Sequence, residues 1–133
     1  MRVISLLAMC ALCLAVDVPS WVTVGILKTE TKSYYRVDGS IKYVDKRRGR
    51  AGEYGPFQMT KAAFLDIRKK GEQFWMLETD TTFAEECADR YLVWLHTNFN
   101  PSKDWSLTVQ MYNAGPHNKS PAYLALVRKN GLQ

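Results

Sequence analysis

Ala51-Gly52-Glu53-Tyr54-Gly55-Pro56-Phe57-Gln58-Met59-Thr60 is the stretch on which the reading of this chain turns. It reads as a glycine-loosened loop, closed by the apolar pair Phe57 and Met59 around one amide side chain, and then as a helix start capped by Thr60. That pattern predicts Gln58 in the wall of a cleft. A Gly-x-x-Gly loop ahead of a helix makes only a turn when it stands alone. Here it has two companions, Glu30 upstream and Met111-Tyr112-Asn113-Ala114-Gly115-Pro116 downstream.

Immediately before the stretch, Lys46-Arg47-Arg48-Gly49-Arg50 is a basic loop. No aromatic stacking pattern accompanies it, so it reads as a solvated loop and no nucleic acid is expected as a partner. Upstream of that, Tyr34 to Val44 gives two strands around Asp38-Gly39, a strong short-range hairpin signal. Before the hairpin, Ser20 is expected to cap a helix over Trp21 to Glu30, with Gly25 allowing a close helix approach. Glu30 then falls at the carboxyl end of that helix. The negative end of the helix dipole is expected to raise its pKa, which suits a proton donor.

Downstream the pattern is helical. Thr60 to Lys70 is expected to be one helix, closed by Gly71, with Ala63, Phe64 and Ile67 on one face. Thr82-Phe83-Ala84-Glu85 reads as a capping box opening a long helix to about Asn98, with Phe83, Cys87, Tyr91, Trp94 and Leu95 as its core stripe. His96 sits near the end of that helix, where an imidazolium would suit the dipole. Trp105 to Tyr112 marks a helix stopped by Gly115-Pro116, and Ser120-Pro121 opens a last one ended by Gly131. The fold class is therefore mainly α, an α+β arrangement of helices with one small β-hairpin.

The chain has 133 residues, enough for one domain with a single core. Its net charge of +5 favours an anionic partner or matrix. Arg2 followed by the uncharged apolar run Ile4 to Val16 reads as a leader, because about 20 apolar residues are needed to span a bilayer. Residues 1–16 are thus expected to be a signal peptide or an N-terminal anchor and 17–133 the domain, exported to the periplasm or cell envelope. Cys10 and Cys13 fall inside the leader, and Cys87 has no partner left for a disulfide. His96 and His117 have no Asp, Glu or Cys at ligand spacing, so no metal and no cofactor are expected. Neither a phosphate loop nor a Gly-x-Ser-x-Gly elbow is present. What remains is a carboxylic acid near amides and aromatics, which suits sugar recognition and acid-catalysed glycosidic cleavage.

Glu30-Thr31, Gly52-x-x-Gly55-Pro56-Phe57-Gln58-Met59 and Met111-Tyr112-Asn113-Ala114-Gly115 together resemble the three ordered motifs of lytic transglycosylases of the soluble-transglycosylase type. Thr31 stands where that family usually has Ser, and Pro56-Phe57 where it has Leu-Met. The resemblance covers roughly Trp21 to Ser120 and implies a lysozyme-like helical domain. It implies Glu30 as the catalytic acid, with Thr31, Gln58, Met59, Tyr112 and Asn113 binding the substrate. The implied reaction cleaves the bond between N-acetylmuramic acid and N-acetylglucosamine in peptidoglycan glycan strands and leaves a 1,6-anhydro-muramoyl end. Two alternatives stay open. One is a hydrolytic muramidase, in which Asp38, Asp45 or Glu53 enters the cleft about 6.5 to 9.5 Å from Glu30 and activates water. The other is a catalytically weak wall-binding assembly factor. Secretion, conjugation and phage machinery are all open as the setting.

Overall fold

The computed structural model describes residues 16–132. The leader expectation, with Cys10 and Cys13, lies outside them apart from Val16. Six helices and one hairpin follow in order: α1 (Ser20–Thr31), β1 (Tyr34–Tyr35), β2 (Ile41–Lys42), α2 (Lys61–Ile67), α3 (Met76–Thr79), α4 (Thr81–Asn98), α5 (Trp105–Ala114) and α6 (Pro121–Gly131). The mainly α class with one small hairpin is what the sequence led us to expect.

Helix α1 starts one residue earlier than expected, and Ser20 caps nothing. The ring of Pro19 fixes its φ at −58°, and with ψ at 143° the proline itself takes the N-cap position. Val22, Ile26 and Leu27 are fully buried along one side of α1. Its most extensive partner is α6, which brings Val127 against Gly25.

The hairpin pairs Tyr34 with Lys42 and Tyr35 with Ile41, antiparallel. It is shorter than the span from Tyr34 to Val44 because the carboxyl end of α1 captures the returning chain. Ser33 Oγ accepts the Val44 N–H at 3.0 Å, and Thr31 O accepts that of Asp45 at 3.1 Å. At the tip, Asp38 Oδ1 accepts the Ser40 N–H at 2.9 Å, an Asx turn that fixes the reversal.

The stretch from Tyr54 to Met59 folds back on itself. Tyr54 and Met59 exchange both backbone hydrogen bonds, at 2.9 and 3.1 Å. Gly55 has φ +83°, and a Cβ there would collide with the Leu77 carbonyl, so this position requires glycine. Thr60 then caps α2 by accepting the Ala63 N–H at 3.1 Å, as the sequence indicated. The helix stops at Ile67, well before Gly71. The chain turns there because Glu72 Oε1 accepts the Lys69 N–H at 2.7 Å while Arg90 grips the same carboxylate at 2.7 and 2.8 Å. The bonds from Arg90 hold the Glu72 carboxyl down at about 2.

The short helix α3 has no counterpart in the sequence reading. Helix α4 is capped by Asp80, whose carboxylate accepts the Phe83 N–H at 3.0 Å, and not by Thr82. A carboxylate is the stronger acceptor and complements the positive helix end. Phe83, Cys87, Tyr91 and Leu95 are buried as expected, with Trp94 half-buried. Burial pushes the Cys87 thiol up to about 12, so it is a packing group. His96 is a packing group, and burial is the main cause that lowers its pKa, against the pull of the helix end. The ring stacks on Trp105 at 3.8 Å, and its Nδ1 lies 2.8 Å from Thr108 Oγ1.

Candidate functional site

The carboxyl ends of α1 and α5, the middle of α4 and the 53–60 loop surround a cavity of about 160 Å³. Glu30 enters it from α1, Gln58 and Met59 from the loop, and Tyr112 and Asn113 from α5. These are five of the six site residues expected from sequence, drawn from three segments far apart in the chain. The sixth, Thr31, does not line the cavity. It is buried, and its Oγ1 lies 2.9 Å from the Pro56 carbonyl and 2.7 Å from Ser33 Oγ. Thr31 therefore ties α1 to the 51–60 loop, with its hydroxyl on the buried side of the helix and away from the cavity.

Glu30 is the chemical centre of this cavity. Its pKa is raised from 4.5 to about 7, first by burial, with a smaller push from the charge of Glu53. The Tyr123 hydroxyl of α6 acts in the other direction, favouring the ionised form. That hydroxyl is buried and meets no acceptor at full hydrogen-bond geometry, so its influence is that of a nearby dipole. The raised pKa matches the sequence expectation, but burial, not the helix dipole, is its leading cause. Among the described residues, no lysine, arginine or histidine lines the cavity. An acid that keeps its proton near neutrality, with no cation beside it, can donate to a neutral acceptor and tolerate positive charge in its neighbourhood.

Burial of this acid has a cost in stability that depends on pH. The folded-state pKa of about 7 lies above the unfolded value of 4.5, so the folded state holds the proton more tightly. Stability from this group is complete below pH 4.5 and is lost as pH rises through about 7. Glu30→Gln, which never ionises, is therefore expected to be as stable as the wild type at pH 4 and more stable at pH 8, by about 3 kcal/mol. Melting curves at the two pH values check this; an equal difference at both would contradict it.

The polar groups around Glu30 are mostly committed to the scaffold. Tyr112 donates its hydroxyl to the Phe57 carbonyl at 2.7 Å, pinning α5 to the loop. Its ring meets Tyr91 edge to face, 5.7 Å between centroids. Gln58 sits at φ 48°, and its Nε2 donates to the Arg47 and Gly55 carbonyls at 3.1 and 3.0 Å. Asn113 Nδ2 donates to Ser120 Oγ at 3.1 Å, which bridges α5 to the start of α6. Tyr112→Phe leaves the buried Phe57 carbonyl without this donor, a loss of about 1–2 kcal/mol. Urea unfolding is expected to show a lower midpoint with an unchanged slope; an unchanged midpoint would contradict this role.

Two of the four cations in the basic loop beside the cavity are paired with carboxylates. Arg47 pairs with Asp45 at 3.1 Å. Arg48 forks onto Glu78 at 3.0 and 3.1 Å and lies 4.4 Å from the centre of the Tyr54 ring, which in turn stacks on Phe74. Among the described residues no group of three or more His, Cys, Asp or Glu side chains could hold a metal ion. No helix among them is long and apolar enough to cross a membrane.

Sequence reasoning did not place Tyr91, Tyr123 or Ala63 at this site. Tyr91 and Ala63 sit at helical spacing with core residues, so their periodicity signals packing alone. Tyr123 precedes buried Val127 by four residues and carries the same ambiguity. Glu53 was one of three acids open for the cleft, and it is the one that lines the cavity. Asp38 is fully exposed at the hairpin tip, and Asp45 is engaged with Arg47. In comparisons with known proteins, no family model, no curated protein and no solved structure matches the chain.

Proposed function

We propose that this protein is a peptidoglycan lytic transglycosylase with a lysozyme-like helical domain, working in the cell envelope on glycan strands. The observation that carries the reading is the meeting of Glu30, Gln58-Met59 and Tyr112-Asn113 in one cavity. Those are the residues through which the sequence resembles that family, and their order along the chain alone would not have required them to touch one space. The electrostatics support the same chemistry. A glycosidic substrate is neutral at the scissile bond and becomes cationic as the bond breaks, which fits a cavity with two carboxylates and no cation.

In this reading Glu30 donates its proton to the glycosidic oxygen as the bond from the muramoyl C1 to that oxygen breaks. The N-acetylglucosamine side leaves with that proton as a hydroxyl. The Glu30 carboxylate then takes the proton of the muramoyl C6 hydroxyl while O6 bonds to C1. One bond is broken and one formed, no water is consumed, and Glu30 ends as it began. The scaffold bonds of Gln58 and Tyr112 keep the cavity wall in register around the acid, and Asn113, at the exposed rim, is free to meet the glycan with its carbonyl oxygen.

The presence of Glu53 in the same cavity favours one second reading, an inverting muramidase in which that carboxylate activates water. Mass analysis of the muropeptides released from purified peptidoglycan separates the two. Anhydro-muramoyl ends, lighter by one water, are expected. Reducing ends would make the protein a hydrolase, and no release by folded protein would overturn both readings.

A further inference from the structure

Glu53 is held with more care than a surface glutamate needs. Its Oε1 accepts the Ala51 N–H at 3.1 Å. The turn around it closes through Gly49 N–H to Glu53 O at 3.1 Å and Gly52 N–H to Gly49 O at 3.0 Å. A Cβ on Gly49 would collide with Glu53 Oε2 and come within 2.8 Å of Gln58 Oε1. The bare backbone at Gly49 is thus the seat for two side chains of the cavity wall, and Gln58 Nε2 grips the same loop at Arg47 O. The 47–53 loop is shaped around Glu53 and Gln58, and through them around the cavity.

Groups face Glu30 from each element around it. These are Tyr91 from α4, Tyr112 from α5, Tyr123 from α6 and Glu53 from the loop. Glu53 is the one second carboxylic acid among them, and no cation offsets it. A negative charge held in a shared cavity disfavours ionisation of its neighbour.

We propose that Glu53 is a positioning residue of this site, one that keeps the proton on Glu30 until a glycosidic oxygen arrives to receive it. The proposal rests on the reading of Glu30 as the proton donor. It goes beyond that reading in assigning the 47–53 loop a task, which is to hold a fixed charge opposite the acid. Glu53 exchanges no proton and forms no bond with the sugar in this role.

Glu53→Gln tests it, because the amide oxygen still accepts the Ala51 N–H while the charge is gone. The Glu30 carboxyl is followed by carbon-13 NMR in the full chain, and the rate of anhydro-muropeptide release is measured against pH. The midpoint of the Glu30 titration is expected to fall by about half a pH unit, with the alkaline limb of the rate profile moving alongside it and the rate at pH 7 dropping about twofold. Glu53→Asp, which keeps the charge, is expected to retain most of the wild-type midpoint. An unchanged midpoint in Glu53→Gln, or an equal fall in both variants, would overturn the proposal. If the wild type releases no anhydro product, the function reading fails, and the titration alone still decides whether Glu53 holds the proton on Glu30.

Discussion

Glu30→Gln is expected to slow the release of anhydro-muropeptides by about a thousandfold or more, since loss of a positioned general acid alone removes two to four orders of magnitude. In the proposed reaction the same group both donates and recovers the proton, so neither half of it has a substitute. Gln fills the same space in the cavity wall and keeps the helix intact. The variant is also expected to be the more stable protein at pH 8, so its inactivity there is not a folding defect. Melting and product release measured on one preparation separate the two effects. A Glu30→Gln protein that still releases anhydro ends at a tenth of the wild-type rate would place the acid elsewhere.

Gly25→Val carries the largest expected loss of stability. A Cβ at Gly25 would collide with the carbonyl oxygen of Val127 and lie 2.7 Å from its Cγ1. The obstacle includes backbone, which no rotamer change can move aside. Helix α1 must shift away from α6, and the fully buried Val22, Ile26 and Leu27 lose their fit along with it. Overpacking of this kind costs about 3 kcal/mol, and for a domain of this size that lowers the melting temperature by roughly 10 °C. Because Glu30 is on α1, the same shift displaces the acid from its place in the cavity wall. A variant that melts with the wild type would show that the two helices do not depend on this close approach.

The parts of the fold that were legible in the sequence are those where one local signal had no competitor. Thr60 caps α2 because no stronger acceptor stands nearby, and Gly115, at φ +90°, ends α5 as a glycine should. Where two groups compete, the sequence misled. Asp80 takes the cap of α4 from Thr82, and Pro19 takes that of α1 from Ser20. The end of α2 is decided by Arg90, on another helix, through its hold on Glu72. The hairpin is cut short by Ser33 and Thr31, whose hold on the chain depends on α1 being in place.

The site follows the same division. Glu30, Gln58, Met59, Tyr112 and Asn113 were legible because they stand in a known order around glycines and a helix end, and they line one cavity. Thr31 stands apart from them because its hydroxyl, one residue past the acid, is on the buried side of α1, a fact that adjacency in sequence conceals. The roles of Glu53 and Tyr123 depend on which groups end up beside Glu30. That is set by the packing of α6 on α1 and by the seat at Gly49, neither of which leaves a local pattern.

The most direct measurement of the account is the titration of the Glu30 carboxyl in the wild-type chain by carbon-13 NMR, assigned with Glu30→Gln. A half-buried acid in a cavity whose lining holds no cation is predicted to titrate near pH 7. A midpoint at the ordinary value of 4.5 would mean that Glu30 is ionised and solvated at neutral pH, and the proton donor on which the function rests would not exist.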